Sequence, residues 1–275
     1  AAGAAEWRSN CVSVTMPGLP QWSEPGLPVL PFKTARLLLP YGTGVQNITV
    51  SCGNKVSLPG SHLVEPGQKP VPLSEEGPFE LTPPDEEVYG SSAPFPGKLY
   101  SNASVQSKTG YRILLVNLHP VEYIPKEGKL SYYGNMTVEV TLGAVSQDGY
   151  LPPRGLPQDK KMVRGMVDNS EVLDTYPDSP EPLQTDQYEY VIITNEALKD
   201  TPGPYNFQAL RDNKISRGIS ATIVTTEWIY ANYDGTRPSG HQDSYTKIRN
   251  FIIDYYTNHG TNYILLGGDE DGADV

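Results

Sequence analysis

The sequence predicts a multidomain protein in which an antiparallel, all-β region precedes a doubly wound, parallel α/β region. Two patterns carry this prediction. Residues 111–142 alternate apolar and polar side chains on both sides of a short turn, which is typical of a hairpin with one buried and one wet face. From residue 188 onward, continuous apolar runs of strand length alternate with helical patterns, which is typical of parallel strands joined by crossover helices.

The composition excludes several classes of protein. A chain of 275 residues with 37% hydrophobic and 19% charged residues can bury a core and is not of the disordered class. Its formal net charge of −11 argues against nucleic acid and anionic membranes as partners. No run approaches the roughly 20 apolar residues of a membrane span. The opening letters AAGAAEW resemble the small residues near a signal-peptide cleavage site, so we expect a processed chain that is secreted or at the cell surface.

The first region, residues 1–149, is expected to form the β-rich module. Short strands are predicted in ARLLLPYG and QNITVSC, where Pro40 and Gly42 interrupt the apolar runs. The strongest signal is the hairpin, in which apolar side chains alternate up to KEG, the chain turns, and the alternation resumes. An antiparallel sandwich or barrel-like fold follows, with residues 58–98 as long loops.

The two cysteines of the chain, Cys11 and Cys52, both lie in this module. In an exported protein a disulfide between them is the natural expectation, and two buried thiols are the alternative. Three Asn-x-Ser/Thr sequences, at Asn47, Asn102 and Asn135, predict glycosylation in a host that glycosylates.

Residues 150–186 are expected to form an exposed linker between the two regions. They contain a Pro-Pro step, a basic cluster and then acidic residues with further prolines. Such a composition keeps a segment out of sheets and open to proteases.

The second region, residues 187–275, is predicted to have the order β-α-β-α-β. The strands are YEYVIIT, SATIVTTEWIY and NYILLGG. The helices are NFQALRDNKISRG, ended by Gly218, and DSYTKIRNFIIDYYTNHG, capped by Ser244 or Asp243. Right-handed crossovers make the three strands parallel, which gives one half of a doubly wound sheet. Such a sheet needs further strands or a covering partner to close its edges.

Both regions resemble the gingipain-like secreted cysteine endopeptidases. In the first region the resemblance lies in EPGLPVLPFKTARLLLPYGTGVQNITV and LLVNLHPVEYIPKEGKLSYYGNMTVEV. In the second it lies in YEYVIITNEAL, RDNKISRGISATIVTT and IRNFIIDYYTNHGTNYILLGGDED. The resemblance implies an all-β prodomain that assists folding and holds the enzyme latent, followed by an incomplete caspase-like catalytic domain.

The resemblance also limits which residues can be catalytic. In that family the His-Cys dyad comes from strands after the third strand. Here His241 and His259 precede the third strand, and no cysteine follows Cys52. We therefore assign no catalytic residue in this chain.

The sharpest candidate site is an acidic cluster that follows the third strand. Its carboxylates are Asp269, Glu270, Asp271 and Asp274. Such hard oxygen ligands could hold Ca²⁺, or a carboxylate could line a pocket for a basic side chain, since ligands bind beyond the carboxyl ends of such strands. A solvated acidic loop is the alternative.

Two arginines of the linker, Arg154 and Arg164, are candidate processing sites. Either could also be the basic residue that occupies the specificity pocket of a latent enzyme, and ordinary solvated charge is the alternative. His119 is expected to be a strand residue rather than a ligand.

Two functions compete on these patterns. The first is the amino-terminal portion of a secreted cysteine endopeptidase zymogen, which acts on protein substrates and needs no cofactor for catalysis; the Ca²⁺ considered above is a separate possible ligand. The second is a non-enzymatic surface or filament-forming protein, a homo-oligomer whose open sheet edge is completed by a neighbouring copy. A carbohydrate-binding sandwich has little support, because only Trp7, Trp22 and the tyrosines offer stacking surfaces.

Overall fold

The structure, a computed structural model, describes residues 10–74, 77, 79–144, 152–178, 186–237 and 239–268. The chain divides into two compact units, Ala1–Pro177 and Asp178–Val275. The first is built mostly from short antiparallel strands, and the second combines a parallel sheet with helices. Within the described ranges, no helix is both long and apolar enough to cross a membrane.

The first unit contains many short strands and few helices. In chain order the strands are β1 (Cys11–Val12), β2 (Gln21–Trp22), β3 (Leu30–Pro31), β4 (Lys33–Leu38), β5 (Thr43–Cys52), β6 (Lys55–Ser57), β7 (Leu63–Val64), β8 (Tyr100–Lys108), β9 (Tyr111–Leu118), β10 (Val121–Ile124), β11 (Lys129–Tyr133) and β12 (Met136–Ala144). The helices are α1 (Glu86–Tyr89) and α2 (Pro157–Arg164), with 3₁₀ turns at Pro125–Glu127 and Ser170–Thr175.

The centre of the first unit is the antiparallel sheet β4-β9-β8. Side chains alternate along β9, so that Leu114, Val116 and Leu118 point to one face. The two-stranded ribbon of β5 and β12 packs on this face, where Val50 and Val138 are register partners. These apolar contacts are the reason why the strands alternate in the sequence.

The predicted hairpin is divided between sheets. Within residues 111–142, β10 and β11 pair with each other as a hairpin, whereas β9 pairs with β4 and β8, and β12 pairs with β5. Pro120 lies between β9 and β10, where it has no N–H to donate to a ladder, and the chain passes there into a different sheet. Gly128 turns the hairpin with a φ of 64°.

The second face of the central sheet is covered by the segment that follows residue 152. One buried cluster joins sheet and segment: Leu38, Tyr111, Ile113, Val163, Leu173 and Tyr176. Over residues 154–176, the structure therefore has a packed layer of the first unit instead of the exposed linker that the sequence predicts. The segment buries a few widely spaced apolar residues and exposes its charges, and prolines and charges conceal that spacing in the sequence. As a result β9 is buried on both faces.

The second unit has the expected order of strands and crossover helices, with two short helices added. It contains β13 (Tyr190–Thr194), β14 (Ala221–Thr225) and β15 (Tyr263–Leu266), with α3 (Glu196–Lys199), α4 (Phe207–Ser216), α5 (Thr226–Asn232) and α6 (Ser244–Asn258). All three strands are parallel, in the order β14-β13-β15. Asp243 caps α6, because its carboxylate accepts a hydrogen bond from the backbone N–H of Thr246 at 2.7 Å.

The strand order reverses at β13, so two crossovers of the same hand place their helices on opposite faces of the sheet. On one face, Ile229 of α5 and Phe251 of α6 pack against Val191 and Ile193 of β13. On the other face, Ile192 is fully buried beneath α4, which contacts β13 and β14. Each face therefore has a single layer of helix.

The second strand of this unit is shorter than the sequence predicts. The apolar stretch SATIVTTEWIY was expected to be strand throughout, but β14 ends at Thr225 and α5 begins directly after it. The Thr225 hydroxyl accepts a hydrogen bond from the backbone N–H of Trp228 at 3.4 Å, which caps the new helix. The capping threonine thus overrides the β propensity of the residues around it.

Candidate functional site

The carboxyl ends of β13 and β14 are joined by helix caps. Asn195 follows β13, and its Oδ1 accepts a hydrogen bond from the backbone N–H of Leu198 at 2.7 Å. The carboxylate of Glu227, in the first turn of α5, accepts a hydrogen bond from the backbone N–H of Glu196 at 3.2 Å. Glu227 therefore holds the ends of two neighbouring strands together. In the sequence, the only signal for this role is an acidic residue two positions after a capping threonine.

The topological switch point lies between β13 and β15, whose carboxyl ends are adjacent, and ligands of open α/β sheets bind at such a point. Thr194 ends β13 and is fully buried, and within the described part of the chain its Oγ1 has no hydrogen-bond partner. Gly267 follows β15, and its N–H donates to the carbonyl of Ile193 at 2.7 Å. A Cβ on Gly267 would lie 2.4 Å from the ring of Phe207, so any larger residue here would require that ring to move.

The predicted acidic cluster follows the switch point directly in the chain. All of its members, Asp269, Glu270, Asp271 and Asp274, lie outside the described residues. Elsewhere, in the residues that the structure describes, no three side chains of metal-ligating type gather at one place. Binding of Ca²⁺ by this cluster stays a prediction.

The two histidines of the second unit, His241 and His259, hold backbone segments in place. The backbone carbonyl of His241 accepts a hydrogen bond from the N–H of Arg237 at 2.7 Å in the loop before α6. His259 caps the end of α6, and its Nδ1 donates to the carbonyl of Asp186 at 2.7 Å. Its ring stacks on Tyr255 with centroids 4.3 Å apart. Neither arrangement needs a catalytic role to explain it.

His119 is buried in the first unit, immediately after β9. Its Nε2 lies 2.8 Å from the hydroxyl oxygen of Ser101, and its ring meets the ring of Trp22 edge-on. Burial lowers the pKa of His119, and the nearby ammonium of Lys98 lowers it further. The imidazole is therefore neutral at pH 7 and serves the packing of this region.

The two candidate processing sites lie in different surroundings. The side chain of Arg154 is 1% exposed, and its Nη2 and Nε donate to the two carboxylate oxygens of Asp159 at 2.7 and 2.8 Å. This buried pair replaces the solvated charge that was one reading of Arg154. Arg164, at the end of α2, and Gly165 are both exposed. The residues on both sides of the bond after Arg164 are therefore exposed to solvent, and cleavage itself stays a prediction.

The predicted disulfide between Cys11 and Cys52 is not formed in the structure. Cys11 lies in β1, which pairs with β7, whereas Cys52 ends β5, which pairs with β12. The two residues thus belong to separate sheets, which sequence spacing cannot reveal. Burial raises the pKa of both thiols, and the carboxylate of Glu65 raises that of Cys11 further. Both groups are accordingly protonated thiols at pH 7.

The three predicted glycosylation sites lie on the surface of the first unit. Asn47 is in β5, Asn102 is in β8 and Asn135 precedes β12, and all three are exposed. Each side chain can therefore be reached by a modifying enzyme, and glycosylation stays a prediction.

The second unit also matches a known family. Residues 184–274 match the model of Peptidase family C25. No curated protein matches the chain. Among solved structures, the chain is similar to a "Complex of Porphyromonas gingivalis RgpB pro- and mature domains", with 19% identity, a TM-score of 0.44, and coverage of 57% of this chain and 79% of that chain.

A second solved structure is similar at the same level. It is described as "Structural insight into zymogenic latency of gingipain K from Porphyromonas gingivalis", with 21% identity, a TM-score of 0.38, and coverage of 49% of this chain and 75% of that chain. The family match falls on the parallel sheet, its crossover helices and the acidic residues beyond them. Residues 184–274 thus resemble peptidase family C25, and the gingipain-like resemblance is confirmed for this part of the chain.

Proposed function

We propose that the chain is the amino-terminal portion of a gingipain-like cysteine endopeptidase zymogen. In this proposal the first unit is the prodomain and the second unit is the first part of a caspase-like catalytic domain. The observation that supports it is the family match at residues 184–274, which falls on the parallel unit and leaves the β-rich unit outside. A prodomain followed by a peptidase domain would give this division.

The proposed reaction is hydrolysis of a peptide bond by way of an acyl-enzyme. A cysteine thiolate attacks the peptide carbonyl, a histidine acts as the general base, and backbone N–H groups stabilise the oxyanion. The dyad is proposed to lie in polypeptide beyond the third strand, so no described residue receives a catalytic role. This chain contributes the packed switch point of the sheet, where Gly267 leads the backbone out beside Thr194.

The proposed partners are a protein substrate and the downstream catalytic segment. The edge strand β15 supports the second partner, because Tyr263 and Leu266 are 57% and 58% exposed there. Within the described residues, β15 pairs only with β13. An edge strand with exposed apolar side chains is suited to pairing with further polypeptide.

Three further features belong to the same proposal. Secretion or display at the cell surface is expected from the family resemblance, and Ca²⁺ is expected at the acidic cluster after β15. Glycans are expected at Asn47, Asn102 and Asn135 only in a host that glycosylates.

The test of the proposal is an active-site label on the native protein. A peptidyl acyloxymethyl ketone alkylates a catalytic thiolate and not a buried, protonated thiol. From the organism that makes the protein, we expect a labelled polypeptide that yields tryptic peptides from residues 186–268. A native protein that contains these residues and takes no label, with reductant and Ca²⁺ present, would contradict the proposal.

The second candidate function, a filament-forming structural protein, is favoured by the same exposed edge. Light scattering of the purified chain over a range of concentrations tests it. If β15 joins copies, Leu266→Lys should abolish the assembly, and Leu73→Lys, at a fully exposed site in the first unit, should leave it intact. A chain that stays monomeric at all concentrations would remove this candidate.

A further inference from the structure

The outer edge of β4 is closed by two consecutive residues rather than by a strand. β4 pairs with β9 on one side, and the N–H and C=O groups of Arg36 and Leu38 point to the other side. There, the N–H of Asp168 donates to the Arg36 carbonyl at 2.8 Å, and the Arg36 N–H donates to the Asp168 carboxylate at 2.8 Å. Asp168 thereby takes both hydrogen bonds that a neighbouring strand would make to Arg36.

Asn169 repeats this arrangement two residues further along β4. The N–H of Leu38 donates to Asn169 Oδ1 at 2.7 Å, and Asn169 Nδ2 donates to the Leu38 carbonyl at 2.9 Å. Because the side-chain amide of asparagine carries both an N–H donor group and a carbonyl acceptor, it reproduces the pairing of a peptide group. Four hydrogen bonds thus hold Asp168 and Asn169 on the edge of β4.

Beyond these residues, the segment is anchored by Tyr176. Its ring lies 4.7 Å from the ring of Tyr111, and its hydroxyl donates to the carbonyl of Leu39 at 2.7 Å. The same hydroxyl accepts a hydrogen bond from the N–H of Arg112 at 3.2 Å. Burial raises the pKa of Tyr176, so the phenol keeps its proton and remains a donor. We call residues 168–176 the strap.

The strap begins just after Arg164, the exposed candidate processing site. Arg164 and Gly165 are exposed, and the hydrogen bonds of the strap to the sheet all reach residues before position 120. A cut between Arg164 and Gly165 would remove the covalent link on the amino-terminal side of the strap. It would leave the strap attached through the backbone to the second unit and through hydrogen bonds to the first.

We propose that the outer edge of β4 is a peptide-binding site whose occupant is the strap, and that the strap stays bound after the bond between Arg164 and Gly165 is cut. An arginine-specific endopeptidase adds water to this bond and yields the carboxylate of Arg164 and the amine of Gly165. None of the strap contacts described above involves either residue. That such a cut occurs in the organism rests on the proposed zymogen, whereas the binding site does not.

The experiment cuts the full chain at this position without using the proposed peptidase. The recognition sequence of a viral protease is inserted between Arg164 and Gly165, and the purified chain is cleaved to completion. Size-exclusion chromatography at decreasing concentrations then gives the dissociation constant of the two fragments. We expect the fragments to elute together at micromolar concentration, and immediate separation would overturn the proposal.

Two variants test whether the strap holds the fragments together. Asn169→Asp keeps the shape of the side chain but sets an oxygen against the Leu38 carbonyl in place of the Nδ2 donor. We expect it to raise the dissociation constant at least tenfold, since a buried acceptor loses its donor. Asp174→Asn, at an exposed position of the strap, is the matched control and should leave the constant unchanged.

Each result decides the question. An unchanged constant for Asn169→Asp, or an equal rise for Asp174→Asn, would show that other contacts hold the fragments and would overturn the proposal. Circular dichroism of the uncut variants checks their folding. If Asn169→Asp does not fold, Tyr176→Phe, which removes only the hydroxyl, takes its place with the same expected direction.

Discussion

The central sheet of the first unit, β4-β9-β8, and the parallel sheet of the second unit, β14-β13-β15, differ in how their edges are covered. In the first unit, the edge strand β4 is met by Asp168 and Asn169, which satisfy its backbone groups from within the same unit. In the second unit, β15 carries Tyr263 and Leu266 at its edge, both more than half exposed. A short polar segment can finish a sheet, whereas an apolar edge without cover is suited to another polypeptide.

The central sheet of the first unit and the parallel sheet of the second unit also differ in how completely their faces are covered. β9 of the first unit lies between the β5–β12 ribbon and the layer formed by residues 154–176, and its apolar side chains are buried on both sides. The sheet of the second unit has one helix layer per face, and α4 leaves Ile215 half exposed. We therefore expect the first unit to be complete by itself and the second to depend on a few central side chains.

The largest effect is expected for Phe251→Ala in the second unit. Phe251 is fully buried between α6 and β13, and its ring contacts Trp228, Tyr233 and Tyr255. Removing a buried aromatic ring should cost about 3 to 5 kcal/mol of unfolding free energy. The rate of amide hydrogen exchange in β13 measures this loss of unfolding free energy.

Tyr245→Ala is the control for this change, because Tyr245 lies on the same helix and is 73% exposed. It should change the unfolding free energy by less than about 0.5 kcal/mol. Equal losses of protection in the two variants would show that the second unit does not depend on its central ring.

The next largest effect is expected in the layer, residues 154–176, that covers one face of the central sheet in the first unit. Arg154→Gln leaves the carboxylate of Asp159 buried without its cation, which should cost about 3 to 5 kcal/mol. Arg164→Gln, at an exposed site of the same segment, should cost less than about 0.5 kcal/mol. Urea unfolding followed by amide exchange in β9 compares them, and near-equal midpoints would mean that the buried ion pair does not secure this layer.

A smaller loss is expected from Tyr176→Phe. The variant keeps the ring against Tyr111 but removes the hydroxyl that bonds Leu39 and Arg112, which leaves one buried carbonyl and one N–H without this partner. The expected cost is about 1 to 3 kcal/mol. Thermal unfolding of the full chain, with Tyr205→Phe at a fully exposed position as the control, provides the measurement. A shift no larger than that of the control would contradict the role of the hydroxyl.

The smallest effect is expected at the open edge. Leu266→Thr replaces an exposed apolar side chain on β15 with a β-branched polar one, so the unfolding free energy of the chain should change by less than about 0.5 kcal/mol. A loss above 1 kcal/mol would indicate that Leu266 is buried by this chain itself. The contrast between the two sheet edges would then be wrong.

The sequence predicted the elements whose signals are local. The βαβαβ order followed from apolar runs of strand length and from the periodicity of α6, whose capping residue Asp243 was among the two candidates. The strand at 220–230 was predicted too long, because the threonine that starts α5 is itself a β former. Whether the residues after Thr225 continue the strand or start a helix is decided by the capping hydrogen bond, which forms only once the first turn of α5 has folded.

The strap and the disulfide could not be predicted for a different reason. Asp168 and Asn169 read as solvated polar residues until β4, which lies more than 130 positions earlier, is placed beside them. Because Cys11 and Cys52 are the two cysteines of the chain, a disulfide between them is the simplest expectation, yet their strands belong to different sheets. A contact between residues far apart in the chain leaves no periodic pattern in the local sequence. Composition alone therefore predicted an exposed linker where the strap packs, and a disulfide between two separate cysteines. The acidic cluster after β15 lies outside the described residues and stays a prediction.

The position of the strap along the chain also affects the order of synthesis. β4 and β9 leave the ribosome well before residues 168–176. The apolar face formed by Leu38, Tyr111 and Ile113 therefore stays exposed until the strap that covers it has been synthesised. Closing so long a loop is entropically unfavourable until its final contacts form, and exposed apolar faces of this kind aggregate. The first unit should therefore reach its stable form only after Tyr176 has been translated. A ribosome stalled at residue 150 would present a nascent chain that is sensitive to protease in β9, whereas one stalled well past residue 177 would not.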